Sequence, residues 1–164
     1  MINLLKKGFT LIELLVVIAI IGILTAVVTT NLVSARARAR DSRRKSDLQS
    51  ISQSLRLYYS DHQGFPAAVG GVIQGCSPSC PWGSAFKSAT TTYMGYLPFD
   101  PSNTATNQVT YSYYSSANGN SYTLVTQLEN LSDTDISDSQ LRCANSLNGH
   151  VIAEPTKEYI VCGD

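Results

Sequence analysis

The sequence predicts an α+β fold: a long N-terminal helix, membrane-spanning in its first half, packed on a small antiparallel sheet of three or four strands. Three observations predict it. No Pro lies between Phe9 and Phe65, and Gly22 is the only Gly from Phe9 up to Gly64, so one helix can run through the whole stretch. Within that stretch the pattern changes from solidly apolar to a stripe of apolar residues every three or four positions. Further on, two alternating runs flank an Asn-Gly pair, which is a hairpin signal.

The first part of the helix is the apolar run from Phe9 to Val33, in which Glu13 is the single charge. About 25 residues give about 37 Å of helix, enough for a hydrocarbon core of roughly 30 Å. A carboxylate inside lipid costs on the order of 2.5–3.5 kcal/mol. Glu13 therefore needs a partner, and positions 16 and 17, one turn on, are both Val. The spacing points to a partner from another chain.

Ahead of this run stands Lys6-Lys7-Gly8-Phe9-Thr10-Leu11-Ile12-Glu13. A basic pair, a Gly, an aromatic residue and a Glu at this spacing resemble the processing site of type IV prepilins and type II secretion pseudoprepilins. The resemblance implies cleavage between Gly8 and Phe9 by a membrane prepilin peptidase, and methylation of the new Phe9 amine. It also implies that Glu13 pairs with the Phe9 amine of a neighbouring subunit. An ordinary signal peptide has a shorter apolar region and is cut after it; here the cut precedes the helix, which stays on the mature chain.

The domain organisation expected is a leader at 1–8, a transmembrane and filament-core helix at 9–34, its amphipathic continuation at 35–62, and an extracytoplasmic head at 63–164. In the continuation, Leu48, Ile51, Leu55 and Tyr58 form one stripe for a sheet to pack on. Between the two lies Arg36-Ala37-Arg38-Ala39-Arg40-Asp41-Ser42-Arg43-Arg44-Lys45. Three roles are open to it: binding anionic headgroups, salt bridges to neighbouring subunits, or contact with DNA. No aromatic residues are interleaved for base stacking, which disfavours nucleic acid. The net charge of +0 provides no long-range field for it either. Many pilins have a helix-breaking Pro about twenty residues into the mature chain, but Val28-Thr29-Thr30-Asn31-Leu32 has none.

Counting cations on either side of the apolar run would place the C-terminal part in the cytoplasm. The 4 cysteines and the leader-like segment argue for the outside, where thiols oxidise. Gly64-Phe65-Pro66 ends the helix. The stretch 67–107 reads as loop. Within it, Leu97-Pro98-Phe99-Asp100-Pro101 resembles the Leu-Pro-x-Asp-Pro loop of G-type major pseudopilins, which in that family precedes the first strand. Strands are expected at 109–116 and 121–128 as a hairpin, at 157–162, and in short form at 150–153.

Four cysteines allow three pairings; Cys76–Cys80 with Cys143–Cys162 is the favoured one. Their spacing fits no standard zinc pattern with His62 or His150. Three residues, not two, separate Cys76 from Cys80, which disfavours a redox motif. Asp133, Asp135 and Asp138 put three carboxylates in a short Ser/Asp loop, and hard cations take such oxygens. Some G-type pseudopilins bind calcium in a C-terminal loop, so the resemblance makes these three residues candidate calcium ligands; no other cofactor is expected. With 2 His, no nucleophile elbow and no phosphate loop, the chain is not expected to be an enzyme.

The resemblance implies a subunit of a type IV pilus or pilus-like filament that assembles by helix bundling. Its partners would be its own copies, the prepilin peptidase, an inner-membrane assembly platform and an assembly ATPase. Its location would be single-pass in the inner membrane and then in an extracytoplasmic filament. The alternatives are a major pseudopilin of a type II secretion system and, more remotely, a signal-anchored binding module.

Overall fold

The structure is a computed structural model in which residues 9–76, 79–103 and 111–164 are described, with 27–31 as backbone only. It has two units, Met1–Arg36 and Ala37–Asp164. Helix α1 runs over Leu11–His62, 52 residues. Among the described residues no helix is long and apolar enough to cross a membrane. In the first unit every large apolar side chain from Phe9 to Leu24 is at least 45 % exposed.

The second unit is the head. Leu48, Ile51 and Leu55 of α1 are completely buried in one core, and Tyr58 packs at its margin. The helix ends at His62 as expected, but the left-handed stop residue is Gln63 and not Gly64: Gln63 has a φ of 56° and its N–H donates to the Tyr59 carbonyl at 2.8 Å. The Phe65 N–H then donates to the Gly119 carbonyl at 2.7 Å, which ties the helix exit to the hairpin turn.

The stretch expected to be loop contains two small hairpins. Strand β1 (Ala68–Val69) pairs with β2 (Val72–Ile73), and β3 (Phe86–Lys87) with β4 (Thr92–Met94). Their buried residues, Ile73 and Phe86, join the core; Phe86 lies against Tyr58 with ring centroids 5.4 Å apart.

The main sheet has three antiparallel strands in the order β5-β6-β7: β5 (Ser112–Ser115), β6 (Tyr122–Gln127) and β7 (Glu158–Gly163). Positions 109 and 110 of the expected hairpin lie outside the described residues. Tyr111, Tyr113, Tyr122 and Leu124 are buried in the core with the α1 stripe. Thr123 and Val125 on the other face are buried as well, as suits a central strand covered on both sides.

Two expectations are corrected. The short strand at 150–153 does not form. The Glu158 carboxylate takes the N–H groups of Ala153 and Glu154 at 3.3 and 3.2 Å, and lies 2.8 Å from His150 Nε2, so this segment folds around a side chain and not into a ladder. The acidic loop after 134 is in fact helix α2 (Asp135–Cys143), with Ile136, Ser139 and Cys143 buried and the sheet's β7 as its main neighbour.

Candidate functional site

Helix α1 opens with a capping box. The Thr10 N–H and hydroxyl donate to Glu13 Oε2 at 2.8 and 2.7 Å, and the Glu13 N–H approaches Thr10 Oγ1 at 3.3 Å. Thr-x-x-Glu is the sequence form of this cap. Glu13 thus has a hydrogen-bond partner three residues back in its own chain, where no cation is needed. Phe9 is 76 % exposed beside it. Gly8 lies outside the described residues.

In the head, the basic run of α1 turns inward, a role absent from the three expected. Arg44 is fully enclosed. Its Nε and Nη2 donate to Asp100 Oδ2 and Oδ1 at 2.7 and 2.9 Å, and its Nη1 to Asp41 Oδ1 at 2.6 Å. Glu129 Oε1 lies 2.9 Å from the same Nη1. Arg40 forms a second fork onto Glu129, and Arg43 pairs with Asp47 at 2.9 Å. Asp47 in turn accepts the Tyr111 hydroxyl proton at 2.9 Å. Among the described residues Arg36 and Arg38 make no ion pair, and both are exposed.

These pairs lash two loops to one helix face. Asp100, from the Leu-Pro-x-Asp-Pro loop, also takes the Ser102 N–H at 2.8 Å, so the carboxylate shapes its own turn while holding Arg44. Asp41 takes the N–H groups of Glu129 and Asn130, the latter at 2.8 Å. Lys45 Nζ reaches Asp133 Oδ2 and Asp135 Oδ2, both at 2.6 Å. Burial works against the charge on Arg44, but its hydrogen bonds to Asp100 and Asp41 outweigh it and hold the guanidinium pKa above its usual value. Burial likewise pushes the Asp100 carboxyl up, and Arg44 and Ser102 pull it below the ordinary carboxylate range.

Of the calcium candidates, Asp133 and Asp135 meet on the Lys45 ammonium, while Asp138 is exposed in the first turn of α2. The structure joins Cys76 to Cys80 and Cys143 to Cys162, with Cα atoms 5.3 and 5.7 Å apart. The second bond ties the end of α2 to β7.

Comparison with known proteins agrees with the N-terminal segment. Residues 4–29 match the family described as the prokaryotic N-terminal methylation motif. Type II secretion system core protein G of Klebsiella pneumoniae is 31% identical over 96 residues, 58% of this chain and 69% of that protein. The type IV wide pilus major component PilA4 of Thermus thermophilus is 43% identical over 67 residues, 41% of this chain and 51% of that protein. Core protein G of Pectobacterium carotovorum is 34% identical over 67 residues, 41% of this chain and 43% of that protein. The chain spans about half or less of the length of most of these relatives, down to 26% of the type IV major pilin PilA of Myxococcus xanthus. No solved structure matches. A methylation-type leader, a helix with an exposed apolar surface and a head sewn to its far half have one common explanation: the chain belongs to the family of type IV pilins and type II secretion pseudopilins.

Proposed function

We propose that the chain is a structural, non-catalytic subunit of a type IV pilus or pilus-like filament. The observation that carries this reading is the continuous apolar surface of the first unit, exposed from Phe9 to Leu24, whereas the head has a core of buried apolar residues. A surface of that size requires a cover. Lipid covers it before assembly, and sister helices cover it afterwards. The precursor is anchored in the inner membrane by residues 9–34, processed between Gly8 and Phe9 by a prepilin peptidase, and moved into an extracytoplasmic filament by an assembly platform and its ATPase. In the polymer Glu13 exchanges its Thr10 contacts for the Phe9 amine of a neighbour.

The second reading is a major pseudopilin of a type II secretion system. It is favoured by the longer match to core protein G and by the Asp100 loop that grips Arg44. Deleting and restoring the gene separates the two. Long surface fibres that vanish and return support the pilus; loss of protein secretion without loss of fibres supports the pseudopilin. Mass analysis of the native N-terminus tests both, because a chain that begins at unmethylated Met1 and stays monomeric in the membrane is neither.

A further inference from the structure

The calcium that the family resemblance implies for the loop at 133–138 does not fit the side chains present. A calcium ion takes six to eight oxygens at about 2.3–2.6 Å. Here the space between Asp133 and Asp135 holds the Lys45 ammonium, 2.6 Å from an oxygen of each. Among the described residues no group of three or more Asp, Glu, His or Cys side chains could hold a metal. A divalent cation entering beside the ammonium would meet a like charge at contact distance, and in a partly buried site that repulsion is screened less than on an open surface.

We infer that Lys45 is a built-in counterion that does in this chain what a bound divalent cation would do: it holds the 129–135 loop against α1, and so makes the head indifferent to calcium. Three further features support this. Lys45 lies one helical turn beyond Asp41, whose carboxylate anchors the same loop through the N–H groups of Glu129 and Asn130, so one helix face supplies both fastenings. The Lys45 side chain is only 19 % exposed, and its ammonium stands 5.6 Å above the Tyr159 ring, so it is held from a third direction. Finally, Asp133 Oδ1 accepts the Asp135 N–H at 3.0 Å, which presents the Oδ2 atoms of both residues to the lysine. A tethered ammonium cannot be diluted or chelated. A filament of such heads would keep this loop in place in surroundings poor in divalent ions.

The test uses the full chain in detergent, as wild type and as Lys45→Met, melted in excess EDTA and in millimolar CaCl2, with hydrogen exchange followed over residues 129–135. The wild type is expected to melt at the same temperature in both solutions and to keep its exchange protection in EDTA. Lys45→Met is expected to lose that protection and to melt at least about 5 °C lower. A wild-type melting temperature that falls in EDTA or rises with calcium overturns the inference. So does a Lys45→Met variant with unchanged melting and unchanged protection. If Lys45→Met does not fold, the two wild-type measurements decide alone. None of these results depends on whether the chain polymerises.

Discussion

Arg44 and Asp100, 56 positions apart, meet as a two-toothed fork with both side chains buried. Asp41 and Glu129 close on the same guanidinium. One residue of α1 therefore fixes both the loop at Asp100 and the segment that follows β6. Arg44→Ala strands two buried carboxylates, and breaking a buried pair costs about 3–5 kcal/mol. A melting temperature far below wild type is expected. Asp100→Asn alone should cost less, and Asp100→Asn combined with Arg44→Ala should cost less than the sum. Additive losses in that cycle would show that the two residues act independently.

The same pairs set the acid limit of the head. The carboxyls of Asp100 and Asp133 are pushed up by burial and pulled down further by Arg44 and Lys45; that of Glu129 is lowered chiefly by Arg40. All three ionise below their ordinary values of 3.8, 3.8 and 4.5 when folded. Below those values the unfolded chain binds more protons than the folded one, so stability rises with pH through that window and is lost as pH falls through the folded values. The melting temperature should be level from about pH 8 to about pH 5 and drop below about pH 4. A head whose melting temperature does not fall in acid would contradict the ion-pair assignment.

The two disulfides should differ in worth. Cys143–Cys162 closes a separation of 19 residues and Cys76–Cys80 one of 4. Chain entropy gives about 3 kcal/mol for the first and about 2 for the second. Replacing each pair with Ser and measuring denaturant midpoints should rank them in that order. The reverse order would mean that the hairpin region around Cys76 carries more of the fold than its size suggests.

At the N-terminus, Glu13→Ala should still be inserted and processed but should assemble poorly, as read from filament yield against cleaved subunit in the membrane. Gly8→Ala should leave an unshifted precursor band. Full filament yield from Glu13→Ala would remove the Glu13–Phe9 pairing from the proposal.

How much of this could be read beforehand depended on whether periodicity or tertiary chemistry decided the outcome. The absence of Pro gave α1, and the spacing of Leu48, Ile51 and Leu55 gave its buried face. Asn118-Gly119 gave the β5–β6 turn. Helix α2 was hidden by composition. Asp135-Ile136-Ser137-Asp138-Ser139 favours loops, Thr134 makes no side-chain cap, and the helix is held by burying Ile136, Ser139 and Cys143, a stripe at steps of three and four that was available but short. The inward turn of the basic run was also recoverable. Arg36, Arg38 and Arg40 alternate and so spread around the helix, but Arg40 and Arg44, and likewise Asp41 and Lys45, are four apart and share a face. Their partners, Asp100 and Glu129, come from distant loops, and no local pattern reveals them. The strand expected at 150–153 failed for a similar reason, since Glu158 collects its backbone donors.

Strand β7 lies at the border of its sheet, and α2 covers that border: the Ile160 N–H donates to the Ser139 hydroxyl at 3.1 Å and the Gln140 side chain donates to the Glu158 carbonyl at 2.8 Å. The Cys143–Cys162 bond staples that border to the neighbouring helix. While the staple is closed, the strand and its covering helix stay together. In copies whose thiols have not yet been oxidised, that cover is held by noncovalent contacts alone.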